Sequence, residues 1–146
     1  MPTHNPAREI RVGDTAEMTK RVSDADVRTF AEISGDRNPV HLDDDFAATT
    51  LFKRRIAHGA LSSGLISAVL GMLMPGPGTI YLSQSCAFKA PVYIGDEITA
   101  RLEVTAYRPD KRITTLKTQV FNQEGTLVLD GEAIVIAPLP GSRNVA

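Results

Sequence analysis

The sequence predicts an α+β domain in which an antiparallel sheet wraps around one long, uncharged helix. Two observations lead to this prediction. Residues 56–88 contain no Asp, Glu, Lys or Arg, and the chain from residue 80 onward divides into four strand-like segments joined by short turns. Strands that follow one another through short turns favour an antiparallel sheet. A helix without a charged face is normally covered by other structure, so we expect the uncharged segment to be buried in the middle of the fold.

The composition indicates one globular domain. The chain has 146 residues, of which 42% are hydrophobic, and a formal net charge of −1. This length is enough to bury a sizeable core, and the near-neutral charge argues against a nucleic-acid partner, which normally requires a basic excess. Cys86 is the only cysteine, which excludes an internal disulfide and a cysteine-cluster metal site and makes a reducing, cytoplasmic location the expectation. We expect tails over residues 1–9 and 138–146 around a domain over residues 10–137.

Neither the N-terminus nor the apolar segment predicts export or membrane insertion. Residues 1–8 lack the apolar core of a secretory signal. The longest apolar stretch, residues 60–74, is shorter than the roughly 20 residues that a spanning helix needs. No contact with a membrane is therefore expected.

The first half of the chain reads as a strand followed by helices. Ser23 is a good N-cap with Asp26 three residues later, and Gly35 is well placed to end the helix that Ser23 opens. Pro39 keeps the residue before it out of helical geometry, which predicts a loop there. The predicted elements are a strand over residues 15–22, a helix over 23–35, a loop over 36–41 and a short helix over 43–50.

The second half reads as the uncharged helix followed by the sheet. Two Pro-Gly pairs at residues 75–78 end that helix. The predicted elements are a helix over residues 60–73 and strands over 80–89, 97–108, 113–122 and 126–137. The second of these strands alternates most clearly, and the residues that it directs to one face are Ile98, Ala100, Leu102, Val104 and Ala106.

Asp36 and His41 are the leading candidates for chemistry. A carboxylate and an imidazole five residues apart in one loop can act together on one small molecule, as general acid–base catalysis requires. Histidine suits this work because its ordinary pKa lies near neutrality. The alternative from the residues alone is a purely structural turn, since Asp and Asn side chains often bond their own backbone.

Weaker candidates surround this pair. The backbone N–H of Gly59, after His58 and at the start of the uncharged helix, could stabilise an oxyanion, or the two residues could simply form a cap and turn. Ser67 lies within that helix, where its hydroxyl could instead bond a helix carbonyl. Four basic side chains could bind phosphate groups or could be ordinary solvated surface: Lys53, Arg54, Arg55 and Lys89. The histidines do not form a recognisable zinc pattern, so no metal is expected.

Several segments, in the right order, resemble the MaoC-like dehydratases. The run Phe30–Asp43 has every position of the hydratase 2 motif in Asp36-x-Asn38-Pro39-x-His41. The other matching segments are Ile56-Ala-His58-Gly59, Gly78-Thr-Ile-Tyr-Leu-Ser-Gln84-Ser85, Phe88-Lys-Ala-Pro91-Val92 and Gly95-Asp96. The resemblance covers residues 10–137. Within the family, the sequence looks most similar to the short bacterial (R)-specific enoyl-CoA hydratases of polyhydroxyalkanoate synthesis.

The resemblance implies a fold, an assembly and a reaction. It implies a hotdog fold, a homodimer, and reversible hydration of a trans-2-enoyl-CoA to an (R)-3-hydroxyacyl-CoA. The resemblance implies neither a metal nor a redox cofactor, and it makes CoA a part of the substrate. Asp36 and His41 would hold one water, His41 would take a proton from it, and Asp36 would deliver the proton to C2. The Gly59 N–H would bond the thioester oxygen.

Further residues enter only through the resemblance. Asn38 and His58 would line the substrate pocket, with Asn38 mainly supporting the loop, and Ser67 matches a pocket serine of the family. Four helix residues are candidates to limit the length of the acyl chain: Leu65, Ile66, Val69 and Leu70.

Three other functions stay open. The same machinery could dehydrate 3-hydroxyacyl groups on acyl carrier protein, which relative turnover on CoA and carrier thioesters would reveal. A hotdog thioesterase would release free thiol. A non-catalytic acyl-binding subunit would turn over no enoyl thioester, although the presence of both Asp36 and His41 counts against it.

Overall fold

The structure, a computed structural model, describes residues 9–139. The tails expected over residues 1–9 and 138–146 therefore lie almost wholly outside the described residues. The strands are β1 (Thr15–Arg21), β2 (Ile80–Phe88), β3 (Glu97–Arg108), β4 (Ile113–Phe121) and β5 (Leu127–Ile136). The helices are α1 (Asp24–Ser34), α2 (Pro39–Leu42), α3 (Asp44–Ala48) and α4 (Gly59–Met72).

The strands form an antiparallel sheet, as predicted, and their order in the sheet is β1-β3-β4-β5-β2. In β3 the predicted alternation is confirmed up to Val104, because the inward residues from Ile98 to Val104 are at most 1% exposed. It is wrong for Ala106, which is exposed. A register shift between Val104 and Ala106 marks a bulge, and a bulge adds a residue that reverses the facing of those after it.

Local capping explains where the first helices begin and end. The Ser23 side chain accepts a hydrogen bond from the Asp26 N–H and Asp26 caps Ser23 in return, so the predicted capping box is confirmed. Gly35 ends α1 with a φ of 79°, a left-handed conformation that glycine adopts without strain. The predicted loop over residues 36–41 is wrong in its second half, where α2 forms one helical turn. Pro39 fits the first helical position and Asn38 caps it.

The long helix α4 packs against the sheet through one face. It contacts β1, β3 and β4, and the residues that it buries are Ser62, Leu65, Ile66, Val69 and Leu70. The apolar members of this set join the core formed by β3, β4 and β5. Within residues 9–139 no helix is long and apolar enough to cross a membrane.

The prediction that the whole uncharged segment is buried is wrong for β2, and also for the outer face of α4, where Gly64, Ser67 and Met72 are exposed. Among the strands of residues 9–139, β2 pairs only with β5 and lies at one edge of the sheet. Ile80, Leu82 and Phe88 are 54%, 51% and 58% exposed. Edge strands usually carry charges that discourage pairing with another chain. An exposed and uncharged edge is therefore suited to contact with a further polypeptide.

Candidate active site

Asp36 and His41 lie next to each other, and the two carboxylate oxygens of Asp36 have different surroundings. Oδ1 accepts a hydrogen bond of 3.1 Å from the Asn38 N–H, which closes the turn before α2. Oδ2 lies 3.9 Å from Nε2 of His41. The structural turn and the contact with the imidazole are therefore both present, one on each oxygen. Asp36 is half-exposed, whereas the His41 side chain is 9% exposed.

The backbone fixes the tautomer of His41. Its Nδ1 lies 2.7 Å from the carbonyl oxygen of Ile56. A carbonyl oxygen can only accept, so Nδ1 carries the hydrogen and Nε2 of the neutral ring carries a lone pair. Burial lowers the pKa of His41, and neighbouring His58 lowers it further, against the opposing effects of the Ile56 carbonyl and Asp36. The neutral ring is thus favoured, with its basic nitrogen directed at Asp36.

The space between Asp36 and His41 suits one water molecule. A carboxylate oxygen and an unprotonated Nε2 are both acceptors, and at 3.9 Å they are too far apart for a direct hydrogen bond. A water molecule has two hydrogens and can donate one to each. This arrangement would leave the water oxygen free to react while a base stands at each of its hydrogens.

The first backbone N–H of α4 borders a cleft in the surface of the protein. Gly59 begins α4, so its N–H has no acceptor within the helix. It lines a cleft of about 550 Å³ together with Phe52, Ile56, Phe88 and Lys89. The ring of Phe88 lies so close that a Cβ at residue 59 would be only 2.7 Å from it. Glycine therefore allows this ring to cover the start of the helix.

His58 joins the two parts of the site. Its ring stacks on His41 with 3.8 Å between the ring centroids, and it is 2% exposed. Its Nε2 donates a hydrogen bond of 2.9 Å to the main-chain carbonyl of Asp36. Potential ligand atoms of Asp36, His41 and His58 all lie within 4.8 Å of one another. These three side chains are a cluster that could hold a cation by geometry, although neither the motif nor the resemblance implies one.

The other predicted pocket residues are spread over the loop and α4. The Asn38 side chain accepts a hydrogen bond from the Val40 N–H, which is the supporting role expected for it. Leu65 lines a second groove, of about 560 Å³, between β1, α1 and α4. Ile66, Val69 and Leu70 are packed in the core, and Ser67 is exposed on the outer face of α4.

The four basic candidates separate into two groups. Lys53, Arg54 and Lys89 are exposed, and the Arg54 guanidinium lies over the ring of Tyr93. Arg55 does not fit the phosphate role expected for it. It is 8% exposed, it bonds Asp24 of α1, and its Nε donates a 2.7 Å hydrogen bond to the His41 carbonyl oxygen.

Sequence reasoning missed three residues that shape the site. Arg55 was expected at the surface, and neither the Ile56 carbonyl nor the Phe30 ring, which packs on His58 with 4.8 Å between centroids, was singled out. A main-chain carbonyl has no residue-specific signal. The basic run over residues 53–55 gives no indication that one member turns inward. Phe30 could have been noticed because it lies six residues before Asp36 on the apolar face of α1.

Comparison with known proteins assigns the chain to a family. Residues 6–125 match the MaoC like domain, and the chain belongs to this family. It is 52% identical to an (R)-specific enoyl-CoA hydratase of Aeromonas caviae, over 90% of this chain and 98% of the relative. It is 49% identical to an (R)-specific enoyl-CoA hydratase of Rhodospirillum rubrum, over 91% of this chain and 92% of the relative.

A solved structure confirms the expected fold. An (R)-hydratase from A. caviae involved in PHA biosynthesis superposes with a TM-score of 0.87 at 52% identity, covering 90% of this chain and 100% of that one. The single α+β hotdog fold implied by the resemblance is thereby confirmed.

The environment of His41 gives a testable expectation. We expect its ring to titrate with a pKa below that of an exposed histidine, because burial disfavours the imidazolium. At neutral pH the Nδ1–H tautomer should dominate. Proton–nitrogen NMR of ¹⁵N-histidine-labelled protein checks both points, with the His41→Asn spectrum as the assignment control. A pKa above that of an exposed histidine, or an Nε2–H tautomer, would contradict this description.

Proposed function

We propose that this chain is an (R)-specific enoyl-CoA hydratase, a hydro-lyase that reversibly adds water to a trans-2-enoyl-CoA and forms an (R)-3-hydroxyacyl-CoA. The observation that carries the proposal is the Asp36–His41 pair, with its basic nitrogen fixed by the backbone and the start of α4 beside it. The high identity to two curated hydratases over nearly their full length supports the same reaction.

The pair activates one water in this mechanism. The water donates one hydrogen to Nε2 of His41 and the other to Oδ2 of Asp36. As the water oxygen forms its bond to C3 of the enoyl group, His41 takes the proton from that oxygen. The C2–C3 double bond opens and its electrons move into the thioester, so that negative charge collects on the thioester oxygen.

Gly59 stabilises that charge and Asp36 completes the addition. The Gly59 N–H, reinforced by the dipole of α4, bonds the thioester oxygen as it becomes an enolate. A preorganised donor of this kind is worth about 3 kcal/mol in the transition state. The new hydroxyl on C3, which lies between the two groups, takes a proton back from His41 as it gives its own proton to Asp36. Asp36 then delivers this proton to C2, which restores the double bond between the thioester carbon and oxygen. The pair ends in its starting state, and no step requires a metal or redox cofactor.

The cleft beside Gly59 gives the thioester its route to the pair. Lys89 lines this cleft, and Lys53 directly follows Phe52, another lining residue. We assign the CoA phosphates to exposed basic side chains at this end of the molecule, namely Lys53, Arg54 and Lys89. Arg55 is left out because its guanidinium is buried against Asp24. Of the four candidates for the acyl-chain limit, Leu65 is the one that lines a groove.

We also propose that the chain acts in the cytoplasm as a homodimer. Within the part of the chain that the structure describes, the outer edge of β2 has no pairing strand, and β2 exposes large apolar side chains without a charge among them. A second copy that covers this edge would remove apolar surface from water and would satisfy the free main-chain groups. Phe88 belongs to both β2 and the cleft, so such a contact would lie beside the substrate.

A stereospecific hydration assay tests the reaction. The purified chain should abolish the enoyl-thioester absorbance of crotonyl-CoA, and the product should be oxidised by an (R)-specific but not an (S)-specific dehydrogenase. An (S)-product, or no loss of absorbance with enoyl-CoA of any chain length, would refute the proposal. Turnover of carrier-protein thioesters alone would favour the dehydratase of fatty-acid synthesis, and release of free thiol would favour a thioesterase.

Two substitutions test the catalytic pair. Asp36→Asn retains an acceptor for the Asn38 N–H, and His41→Asn retains a donor near the Ile56 carbonyl, so both variants should keep the fold. Each removes a proton-transfer group, and we expect kcat to fall by about 10²-fold or more. The matched control is Asp45→Asn, at an exposed carboxylate in the first turn of α3. If either site variant kept the wild-type rate while its thermal melting was unchanged, the assignment would be wrong.

The assembly has its own test. The 15.8 kDa chain should elute and scatter light as a particle of about twice that mass. Leu82→Asp places a charge on the exposed face of β2 and should shift the protein toward monomers. Val12→Asp makes the same change at an exposed apolar residue outside the sheet and should not. A monomeric wild type, or a Leu82→Asp variant that still forms dimers, would exclude β2 as the contact.

A further inference from the structure

The two stacked histidines form a reciprocal connection between two segments of the site. His41 belongs to α2 and donates to the carbonyl of Ile56, just before α4. His58 lies just before α4 and donates to the carbonyl of Asp36, just before α2. Each ring thus bonds the main chain of the segment that holds the other. The rings are in stacking contact between these two bonds, with 28° between their planes.

His58 has a buried polar atom that no hydrogen bond to its own helix satisfies. It precedes the first residue of α4, yet its side chain makes no capping hydrogen bond to that helix. With Nε2–H given to Asp36, its Nδ1 is an acceptor, and this atom is buried without a hydrogen-bond partner among the described residues. An unsatisfied buried polar atom destabilises a folded protein, because it has lost its hydrogen bond to water without gaining another. Such an exception in a folded protein calls for a specific explanation.

The position of His58 between the reacting groups supplies that explanation. It bonds the residue whose carboxylate holds the water, it stacks on the residue that takes the proton, and it is covalently joined to Gly59. Movement of Asp36 relative to Gly59 would therefore have to break the His58 bond or its stacking. Phe30 of α1 packs on the same ring and limits its motion.

We propose that His58 is a positioning residue that holds the Asp36 carboxylate and the His41 imidazole in register with the Gly59 N–H, through the hydrogen bond from its Nε2 to the Asp36 carbonyl. This inference rests on the proposed hydration, because that reaction requires the water and the thioester to be held in a fixed position relative to each other. His58 transfers no proton to the substrate. A misplacement of about 1 Å in such a site is enough to lower a rate by about 10²-fold.

Two substitutions at residue 58 separate positioning from direct contact. His58→Gln places an amide N–H where Nε2 lies and retains the bond to Asp36. His58→Phe retains an aromatic ring against His41 but has no donor. We expect His58→Phe to lower kcat on crotonyl-CoA by about 10-fold to 10²-fold with KM close to that of the wild type, and His58→Gln to keep most of kcat. Wild-type kcat in His58→Phe, or an equal loss in both variants, would overturn the inference.

A measurement without substrate keeps this test independent of the proposed function. Hydrogen–deuterium exchange followed by mass spectrometry should show faster exchange over residues 36–42 in His58→Phe but not in His58→Gln. Unchanged exchange in His58→Phe would overturn the inference even if the chain proved to have another activity.

If His58→Phe did not fold, Phe30→Leu would replace it, because it loosens the same ring and leaves Asp36, His41 and His58 in place. It should lower kcat and speed exchange in the same segment, and no change in either would count against the proposal.

Discussion

The burial of one face of α4 against the sheet is the constraint on which the site depends. Leu65, Ile66 and their neighbours occupy fixed places in a close-packed core, so α4 cannot rotate or slide without opening voids. The direction of its first N–H groups is fixed with it. The short segment before the helix then holds α2 through three contacts: the Arg55 side chain on the His41 carbonyl, the Ile56 carbonyl on the His41 ring, and the His58 ring on the Asp36 carbonyl. The Asp36 carboxylate is half-exposed and lies in a loop, but these contacts fix its position relative to the packed core.

The uncharged segment over residues 56–88 contains two parts that lack charge for different physical reasons. On the inner face of α4 the lack of charge accompanies burial, because that face packs on three strands. In β2 it accompanies exposure at the edge of the sheet. Both states need uncharged side chains, the first because charges are costly to bury and the second because charges would discourage contact with another chain. Composition cannot tell these states apart, since they differ only in what lies opposite the segment in three dimensions.

Local signals made much of the fold predictable. The capping box at Ser23, the glycine that ends α1 and the alternation of β3 each act over a few residues, and each gave the right element. The pairing of Asp36 with His41 was also readable, because both lie in one short segment. The contacts that complete the site were not readable, because they join residues 14 to 22 positions apart. Nothing in a basic tripeptide indicates that Arg55 turns inward to meet Asp24, 31 positions away.

Main-chain carbonyls orient both histidine rings, so the orientation of the rings does not depend on which side chains line the cleft. The His41 tautomer depends on the carbonyl of Ile56, and the same residue is one of those that line the cleft. Every amino acid supplies the same carbonyl. Residue 56 can therefore carry a larger or smaller side chain, and so change the shape of the cleft, while the hydrogen bond that orients His41 is retained. A site built in this way tolerates changes in the lining of its cleft without losing the orientation of its acid–base group.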